Sequence, residues 1–507
     1  MPQGITTVKR AATLACLLAG FAATAQPKDL VGVFEDALKS DPVIRQADAN
    51  RLAARESRPQ AIAALLPQLN GSAGVTRDHN SGFADQIFEI SNPANPNGPP
   101  LTVVVSQGET IDTTTKAWGL NLKQNLFSWS NWMTLKEANA QVAQAEATYQ
   151  AAEQQLILRV AQAYFNVLTA DDTLEADQAA LEAISRQLDQ ATTRFDVGLI
   201  AITDVEDAKA ARDTAAATVI ADKRTLATAE YQLQEITGQK YDRLAKPGGD
   251  MPLLNPEPAD EGRWVDMSLE QNPTLVSSRL AADIARDNVR VAIGGHLPSL
   301  DVLAGRSYTD STADYLFQGT PYNGIESRFN DRQIMLELTV PIFAGGYTQS
   351  KVRQAEYLWI AAKEGVVQSS RATERQARDA YLGVISGISR VQALRQALAS
   401  NQTALKATEA GYEVGTRTSV DLLNARRNLV QAQTNYAVAR YDYIVEVLTL
   451  RLAAGTLDRP ELVSVNDWLT TSAPTSPAVP TPETLAPTIP PAGAPPPPQS
   501  PPQGQRR

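Results

Sequence analysis

Two stretches of the chain alternate apolar and polar residues. In Trp118–Gln124 the apolar side chains recur at every second position, with Asn121 and Lys123 between them. Ile334–Val340 repeats this pattern and places Glu337 and Thr339 on the opposite face. Because successive side chains of a β-strand point to opposite faces, this alternation predicts two strands that each have one apolar face.

Two more strands are predicted after Pro67 and Pro298, where the alternation continues with more Gly and Ala. Alternation over about ten residues is typical of a strand that faces lipid, but a soluble sandwich also fits these segments. Four strands are too few to close a barrel in a membrane, so a membrane protein of this kind must combine several copies. The pattern itself does not decide between two copies and three.

A different periodicity governs the longest uninterrupted segment of the chain. From about Asn131 to Asp196 there is no Pro and no Gly over about 65 residues, which predicts a helix about 100 Å long. Its apolar positions are spaced alternately by four and three residues, which is the heptad pattern of a coiled-coil seam. These positions are Leu156, Val160, Ala163, Val167, Ala170 and Leu174, and then Leu181, Ile184, Leu188, Ala191 and Phe195. A second long helix is predicted from about Ser350 to Tyr412.

Four shorter helices are predicted as partners of the two long ones. They cover Asp41–Leu66, Asp204–Thr237, Asn272–Gly295 and Asp421–Ala454. Two of them placed end to end are about as long as one long helix. The chain is therefore expected to form four helical columns.

The chain also contains an internal duplication. The landmarks Asp41-Pro42 and Leu66-Pro67 return at one constant spacing as Asn272-Pro273 and Leu297-Pro298. Two later landmarks return at a shorter spacing: Ala163-Tyr164-Phe165 as Ala380-Tyr381-Leu382, and Phe195-Asp196-Val197-Gly198 as Tyr412-Glu413-Val414-Gly415. The first half is therefore longer by roughly 14 residues, and the Pro- and Asn-rich loop at residues 92–100 is the expected place. We predict two structural repeats, residues 28–255 and residues 256–465.

The two ends of the chain differ in composition from the rest. Lys9 and Arg10 precede an apolar run and an A-x-A site at Ala23–Ala25, which predicts a signal peptide over residues 1–25. Cys16 is the only cysteine and lies in that run, so the mature chain is expected to contain no thiol and no disulfide. Residues 466–507 are rich in Pro, and we predict a disordered or polyproline-like tail that begins near Thr470.

Composition and charge exclude several classes of function. A net charge of −10 argues against a nucleic-acid partner, and 6% aromatic residues favour long helices over an enzyme core. His79 and His296 are the only histidines, they lie far apart, and no catalytic set, P-loop or metal-ligand spacing accompanies them. We therefore expect neither enzymatic activity nor a cofactor.

Two segments carry a resemblance to a known family. Residues 186–205 and residues 409–421 closely resemble the two helix-turn-helix segments at the periplasmic tip of TolC-family outer-membrane ducts. Gly294–Pro298 and Val340–Gly346 are similar to further segments of that family. The resemblance covers about residues 28–465.

This resemblance implies a fold, a location and a set of partners. The fold would be a homotrimer in which a twelve-stranded β-barrel in the outer membrane, with four strands from each protomer, continues into a long periplasmic α-helical barrel. The duct would be a passive channel of tripartite drug efflux or of type I protein secretion in a Gram-negative bacterium. A periplasmic adaptor protein and an inner-membrane pump of the RND, ABC or MFS type would dock on it and open its periplasmic tip.

The family's gate residues have counterparts in this chain. By resemblance, Tyr412 and Arg417 tether the inner coiled coil to its neighbours through Asp204 and Thr203. Gln187 and Glu409 correspond to a further connection. Hydrogen bonds and charged pairs of about 1–3 kcal/mol each would hold such a gate closed and still let a docking partner open it.

The family also places two acidic residues per protomer in rings at the narrowest point. Asp421 matches the first, but Asn424 stands at the second, so the resemblance implies a weaker cation site and no resident metal. The turns Val197-Gly198-Leu199 and Val414-Gly415-Thr416 match the positions that meet adaptor hairpins. From the residues alone, these segments are tight turns in which each Gly follows a helix. Asp204 or Asp421 then caps the next helix or begins it, where its charge complements the helix dipole.

One alternative remains open at this point. A periplasmic coiled-coil adaptor or structural protein would have the same signal peptide and heptads, although not the duplicated strands. Neither the substrates nor the particular pump can be inferred from the sequence.

Overall fold

A computed structural model describes residues 27–248, 251–317 and 320–474. The predicted signal peptide with Cys16, and most of the predicted tail, lie outside these residues. The helices are α1 (Leu30–Ser40), α2 (Pro42–Arg55), α3 (Ser57–Ala63), α4 (Trp129–Asp196), α5 (Ile202–Thr237), α6 (Glu261–Gln271), α7 (Pro273–Ile293), α8 (Tyr347–Glu413), α9 (Ser419–Ala454) and α10 (Arg459–Asn466). The strands are β1 (Gln68–Ile90), β2 (Leu101–Ser128), β3 (Arg243–Pro247), β4 (Ser299–Phe317), β5 (Thr320–Thr339) and β6 (Leu469–Pro474).

The chain forms two compact units. The first, here called the helical unit, comprises Met1–Ala47, Gln150–Asn272 and Arg371–Arg507. The second, the sheet unit, comprises Asp48–Tyr149 and Pro273–Ser370. Each unit takes segments from both halves of the sequence, because the duplicated segments pack beside each other.

The sheet unit contains one antiparallel sheet with the strand order β1-β2-β4-β5. The four predicted strands are therefore confirmed. They are much longer than the expected ten residues, with 23 residues in β1, 28 in β2, 19 in β4 and 20 in β5. The alternation of apolar and polar residues ends before the strands do, because the parts of the strands near the hairpin connections are polar or rich in Gly and Thr.

One face of the sheet is apolar near the C-terminal end of β5. On β5, Ile334, Leu336 and Leu338 lie on one face, with Met335 and Glu337 between them, and all three are exposed in the single chain. Ile334 lies opposite Ala304 in the strand register, and Leu336 lies opposite Val302. The period-two pattern thus places these apolar side chains on one face, where they are exposed among the residues that the structure describes.

The extra length of the first repeat lies in the β1–β2 hairpin, as predicted. Both strands of this hairpin are longer than β4 and β5, and residues 91–100 connect them. β4 pairs with β2 only from Glu109 onwards, so the distal part of the hairpin is a two-stranded ribbon.

The two long helices that the sequence predicted are confirmed, and both are slightly longer than expected. α4 has 68 residues and α8 has 67. The first six seam positions of α4, Leu156 to Leu174, are buried, but Phe195 at the end of the seam is exposed. Tyr164, Phe165 and Leu168 are also fully buried, so the middle of α4 is surrounded on more than one face. No helix in the described parts of the chain is both long enough and apolar enough to cross a membrane.

An aromatic cluster lies at the centre of the helical unit. The ring of Phe165 meets Tyr164 edge-on at 5.4 Å and stacks on Tyr441 at 5.7 Å between ring centroids. The Tyr164 hydroxyl donates to the carbonyl of Ala245 in β3, and the Tyr441 hydroxyl donates to Asp172 at 2.7 Å. The low aromatic content did not predict this cluster, because a few aromatic residues concentrated at one place suffice to form it.

The predicted tail begins later than expected. Leu469–Pro474 is strand β6, which pairs antiparallel with β3. The prediction of a disordered tail from residue 466 is therefore wrong for residues 466–474, where a hydrogen-bonded partner strand compensates for the Thr- and Pro-rich composition. Residues 475–507 lie outside the described part of the chain.

The first repeat landmark forms a buried ion pair. Asp41, with 2% of its surface exposed, accepts a hydrogen bond from the N–H of Ile44 and pairs with Arg159 at 2.6 Å. At the corresponding position of the second repeat, the amide of Asn272 donates to the carbonyl of Ala453 at 3.0 Å. Both residues therefore anchor the start of a Pro-initiated helix, but only Asp41 does so with a charge.

We predict that Asp41→Ala lowers the free energy of unfolding by about 3 kcal/mol, because it leaves Arg159 without its buried partner and removes a helix cap. Asp41→Asn, which copies the second repeat, keeps an acceptor for Ile44 and should lose about half as much. Guanidinium titration followed by far-UV circular dichroism measures both losses. Asp48→Ala breaks a more exposed pair with Arg51 and is the control, with an expected loss under about 1 kcal/mol. Equal losses for Asp41→Ala and Asp48→Ala would show that the buried pair is not an anchor.

Candidate functional site

The candidate site consists of two helix turns in the helical unit. One turn joins α4 to α5, and the other joins α8 to α9. Gly198 and Gly415 have positive φ angles of 76° and 80°, which confirms the prediction that each turn needs a left-handed residue. In both turns a backbone N–H reaches back five residues, from Leu199 to Arg194 at 2.9 Å and from Thr416 to Gly411 at 2.8 Å.

The two turns begin their second helices differently. Thr418 and Asp421 form a capping box at the start of α9: the Thr418 hydroxyl accepts from the N–H of Asp421, and Asp421 accepts from the N–H of Thr418. α5 begins at Ala201, which has no side chain that can cap. The expectation that Asp421 helps to cap its helix is therefore confirmed. Asp204 does not cap, but it stands in the first turn of α5, where its charge complements the helix dipole, which is the other expected role.

Asp204 connects the two turns. Its carboxylate accepts a hydrogen bond of 3.0 Å from the hydroxyl of Ser419, the first residue of α9. Ser419 is buried, and sequence reasoning did not select it. The only available signal was its position directly after Thr418, where a small polar side chain can face the neighbouring turn.

The remaining predicted tether residues find other partners within the chain. The Tyr412 ring lies under the guanidinium of Arg194, 5.2 Å from its centroid, and Glu409 pairs with Arg426 at 3.1 Å. Arg417 and Thr203 are exposed. In the described single chain, the hydrogen bond of Asp204 thus goes to Ser419, and the predicted links from Tyr412 and Arg417 to Thr203 and Asp204 are not formed. Arg194 and Arg426 were missed because each lies on the helix face that only the fold brings opposite an aromatic or acidic residue.

Gln187 is buried and unsatisfied. Only 4% of its surface is exposed, and neither its amide nitrogen nor its amide oxygen has a partner among the described residues. A buried amide without partners costs about 1–3 kcal/mol, so this position favours contact with a polar group. The predicted link between Gln187 and Glu409 is not made within the chain.

Below the turns, a small apolar cluster joins three helices. It comprises Ile184 of α4, Ala211 of α5 and Leu423 of α9, with Ala215 packed against it. The small side chains let the helices approach closely.

Two residues at the start of α9 are considered for their charge: Asp421 and Asn424. Hydrogen bonds from the backbone and hydroxyl of Thr418 hold the pKa of Asp421 below its usual range. The carboxylate therefore stays charged at neutral pH while one of its oxygens is engaged by Thr418. Asn424, three residues further along, is exposed and uncharged.

The tips of both turns are apolar and exposed. Val197, Leu199 and Val414 each expose at least 67% of their surface. Nothing lies near the position that a side chain would occupy at Gly198 or Gly415. Thr416 is also exposed, although its hydroxyl donates to Gly411. Exposed Val and Leu side chains at a tight turn are typical of a contact surface.

Between α4 and α5, the structure reveals paired carboxyl groups that sequence reasoning missed. Burial raises the pKa of Glu230 to about 7, and nearby Asp171 adds to the shift while Lys240 opposes it. Burial and the adjacent Asp177 raise the pKa of Asp222 to about 6. The heptad pattern could not identify these pairs, because they depend on which residues of two antiparallel helices face each other.

Comparison with known proteins gives a consistent assignment. The model of the family described as Outer membrane efflux protein matches residues 33–239 and 264–456. The chain is 36% identical over 479 residues to the outer membrane protein TolC of Escherichia coli (strain K12), covering 92% of this chain and 90% of that protein. It is 27% identical to the alkaline protease secretion protein AprF of Pseudomonas aeruginosa, covering 85% of both chains.

A solved structure agrees in fold. The Campylobacter jejuni CmeC outer membrane channel superposes with a TM-score of 0.65 at 20% identity, covering 87% of this chain and 90% of that chain. The fold is therefore that of an outer-membrane channel with long helices and a four-stranded antiparallel sheet in each protomer.

These matches define an outer-membrane efflux or secretion duct that is not an enzyme. The chain belongs to the TolC family of outer membrane efflux proteins. It lies in the outer membrane and has a helical extension in the periplasm. The alternative of a periplasmic adaptor is therefore wrong, since the duplicated strands and the family match identify the duct itself.

We predict that Glu230→Gln stabilises the protein at pH 8. The folded pKa of about 7 lies above the ordinary value of 4.5, so the folded state retains a proton that the unfolded state has lost, and stability falls as pH rises through this window. The substitution removes that loss, which we estimate at about 1 kcal/mol after discounting for solvent screening. Guanidinium midpoints at pH 5 and pH 8 measure the effect. Glu235→Gln, at an exposed position of the same helix, is the control, and an identical pH slope for wild type and Glu230→Gln would contradict the prediction.

Proposed function

We propose that three copies of this chain join edge to edge into one closed sheet of twelve strands and form a single exit duct. TolC-family channels form trimers and work with components of efflux pumps. The two repeats, residues 28–255 and 256–465, would each contribute one hairpin and one set of helices to the wall. The duct is passive, and a docking partner opens it at the two helix turns.

The open sheet carries this proposal. In the described part of the chain, β1 and β5 have one neighbour each, so each leaves one edge of N–H and C=O groups without strand partners. In lipid such groups cost several kcal/mol apiece unless another strand pairs with them. Neighbouring strands alternate in direction across the sheet, so β5 of one copy meets β1 of the next in the antiparallel sense.

The same assembly would bring the proposed gate residues into contact. Tyr412 and Arg417 would bond across to Asp204 and Thr203 of a neighbouring coiled coil, while Gln187 would find a polar partner near Glu409. Support comes from the exposed position of Arg417 and from the unsatisfied amide of Gln187. Asp204 already links the two turns within one copy through Ser419, so a tether from outside would join an existing polar network.

At the narrowest point, three copies of Asp421 would form one acidic ring. Hydrogen bonds from Thr418 lower the pKa of Asp421 within one chain, and a ring of such carboxylates would favour cations. Asn424 would provide a neutral second ring, and cation block should be weaker than with two acidic rings.

The exposed turn tips would receive the adaptor. Val197, Gly198 and Leu199, with Val414, Gly415 and Thr416, offer apolar side chains and accessible backbone to an adaptor hairpin. An inner-membrane pump of the RND, ABC or MFS type would act behind it. Drug efflux and type I protein secretion are both compatible with such a duct. The similarity to a protease secretion protein supports the second of these roles.

We predict that cysteines placed on the two sheet edges cross-link between copies. Asn70→Cys in β1 should form disulfides with cysteines at every second position of β5 between Asp331 and Thr339. Only these side chains lie on the same face of the sheet as Asn70, because successive side chains of a strand point to opposite faces. Non-reducing gels of outer membranes should then show covalent dimers and trimers. A cysteine at Tyr231 in α5, combined with Asn70→Cys, is the control. A protein that stays monomeric in every pairing would overturn the closed sheet.

We predict that Tyr412→Phe together with Arg417→Ser raises single-channel conductance in planar bilayers several-fold, because tethers of about 1–3 kcal/mol each are removed. Tyr381→Phe with Arg390→Ser makes the same chemical changes on the same helix, but away from the turns. This control should leave the conductance unchanged. If the tip variant conducts like wild type, the tether assignment is wrong.

A further inference from the structure

The basic residues of the four-stranded sheet lie almost entirely on one face. Residues opposite each other in the strand register point to the same face, so the face that carries Ile334 and Leu336 can be followed across all four strands. Of the six Lys and Arg residues in these strands, five lie on this face and Lys123 lies on the other. The five are Arg77 of β1, Lys116 of β2, Arg306 of β4, and Arg328 and Arg332 of β5.

Two of these residues stand directly opposite each other. Arg306 and Arg332 are paired in the register of β4 and β5, and we call them the arginine pair. Both side chains are exposed, and neither has an ion-pair or hydrogen-bond partner among the residues that the structure describes. Opposite residues have Cβ atoms about 5 Å apart, and like charges at such positions are destabilising. An anion between the two guanidinium groups would remove this repulsion.

The acidic residues nearest to the arginine pair on this face are engaged elsewhere. Asp310 and Glu326 both pair with Arg328, at 3.5 Å and 2.9 Å, and Asp310 also lies opposite Lys116 in the register. Further out, Asp112 pairs with His79 at 2.7 Å, and Asp314 accepts from the N–H of Gly324 at 2.7 Å. The anion must therefore come from outside this sheet.

A neighbouring copy does not supply the anion either. In the proposed closed sheet, β1 of the next copy lies beside β5. The residues of β1 on this face include no acid from Leu69 to Ser81: they are Leu69, Gly71, Ala73, Val75, Arg77, His79 and Ser81. Closure of the sheet thus brings another basic residue to this face and leaves the arginine pair without a carboxylate.

The strand ends that join helices face the periplasm. β1 follows α3, β2 leads directly into α4, and the helical extension of the protein lies in the periplasm. The other ends of the strands therefore point to the outer leaflet of the membrane. The five basic residues lie towards those ends, because the apolar residues Ile334, Leu336 and Leu338 occupy the periplasmic part of β5.

The rows of the sheet on the two sides of the arginine pair differ in character. On the periplasmic side, Ile334, Ala304 and Leu122 form an apolar row. On the outer side, the ring of Trp118 stacks on that of Tyr308, with 6.4 Å between centroids. Trp and Tyr are enriched where a membrane meets water. The arginine pair therefore lies between apolar and aromatic rows, as expected at the boundary of the hydrocarbon region.

The height of the apolar band agrees with this position. The band begins after β5, where Ile342 and Phe343 are almost completely exposed. Ten residues separate Ile342 from Arg332, which is about 33 Å of extended chain and about 25 Å along the membrane normal at a tilt of about 40°. An apolar band of about 25 Å is typical of sheets that cross the outer membrane. Arg is destabilising in the middle of such a band and is tolerated near its boundaries.

The outer boundary of this membrane offers one abundant anion. The outer leaflet of a Gram-negative outer membrane consists of lipopolysaccharide, a glycolipid whose lipid A part carries phosphate groups on sugar rings. Arg binds phosphate through two parallel hydrogen bonds, which makes it better suited to this group than Lys. The rings of Trp118 and Tyr308 would lie beside the sugars. Charge, position and neighbouring chemistry thus agree on one occupant.

We propose that the arginine pair, flanked by Trp118 and Tyr308, binds a phosphate group of the glycolipid in the outer leaflet. This inference rests on the proposed closed sheet, which directs this face to lipid. The bound phosphate neutralises two like charges and fixes the height of the sheet in the membrane.

Thermal unfolding of the full-length protein in detergent, with and without diphosphoryl lipid A, tests the proposal. Lipid A should raise the Tm of wild type by several degrees, because it binds only the folded state. It should not raise the Tm of Arg306→Gln/Arg332→Gln, and its Kd for this variant, measured by native mass spectrometry, should be about ten-fold higher. Without lipid A the variant should unfold no earlier than wild type, since the repulsion is gone.

Arg371→Gln with Arg375→Gln is the matched control, because it removes two exposed arginines from the part of α8 in the helical unit. This variant should bind lipid A as wild type does, and monophosphoryl lipid A should bind wild type several-fold more weakly than the diphosphoryl form. If millimolar inorganic phosphate raised the Tm of wild type as much as lipid A does, the pair would be a site for free phosphate and the glycolipid assignment would be wrong.

Unheated gels separate this inference from the closed sheet itself. If wild type and Arg306→Gln/Arg332→Gln both run as trimers and bind lipid A equally, the arginine pair is not a glycolipid site and the closed sheet stands. A wild-type protein that runs as a monomer would instead refute the closed sheet, and with it the basis of this inference.

Discussion

Every backbone N–H and C=O group needs a partner, and this requirement explains why the chain is built as it is. The long helices α4 and α8 satisfy it internally, except at their ends, where the left-handed glycines Gly198 and Gly415 turn the chain and bond it back. The sheet satisfies it only between its four strands. In the part of the chain that the structure describes, β1 and β5 each have one free edge, and in lipid the unpaired groups of such an edge would be costly. Assembly is thus a condition of stability in the membrane.

The internal duplication produced two turns of the same backbone shape but of different chemistry. In the α8–α9 turn, Thr418 and Asp421 satisfy each other in a capping box. In the α4–α5 turn, Ala201 cannot cap, and Asp204 directs its carboxylate to Ser419 of the other turn. One turn is therefore self-contained and the other bonds to its neighbour, which under the proposed function would suit a contact that opens. Hydrogen bonds suit this purpose because water can replace them at little net cost.

The helical unit combines small side chains with buried polar groups. Ala-rich seams bring helices close together, and closeness removes water from the carboxyl groups of Glu230 and Asp222, which raises their pKa values. Asp41 shows the opposite solution, since Arg159 and the N–H of Ile44 stabilise its charge. Tyr443 is fully buried, and its ring stacks on Trp468.

Periodicity predicted the strands and the long helices, since period two and the heptad are local properties of the chain, and repeated landmarks indicated the duplication. The resemblance identified the turns and the residues of the candidate gate. The tertiary structure decided which side chains meet: Ser419 with Asp204, Arg194 with Tyr412, and Arg426 with Glu409. It also extended the strands far beyond the alternating segments and turned Leu469–Pro474 into a strand. The physical reason is that strand pairing and helix facing depend on residues distant in sequence, and no local pattern records which of them become neighbours.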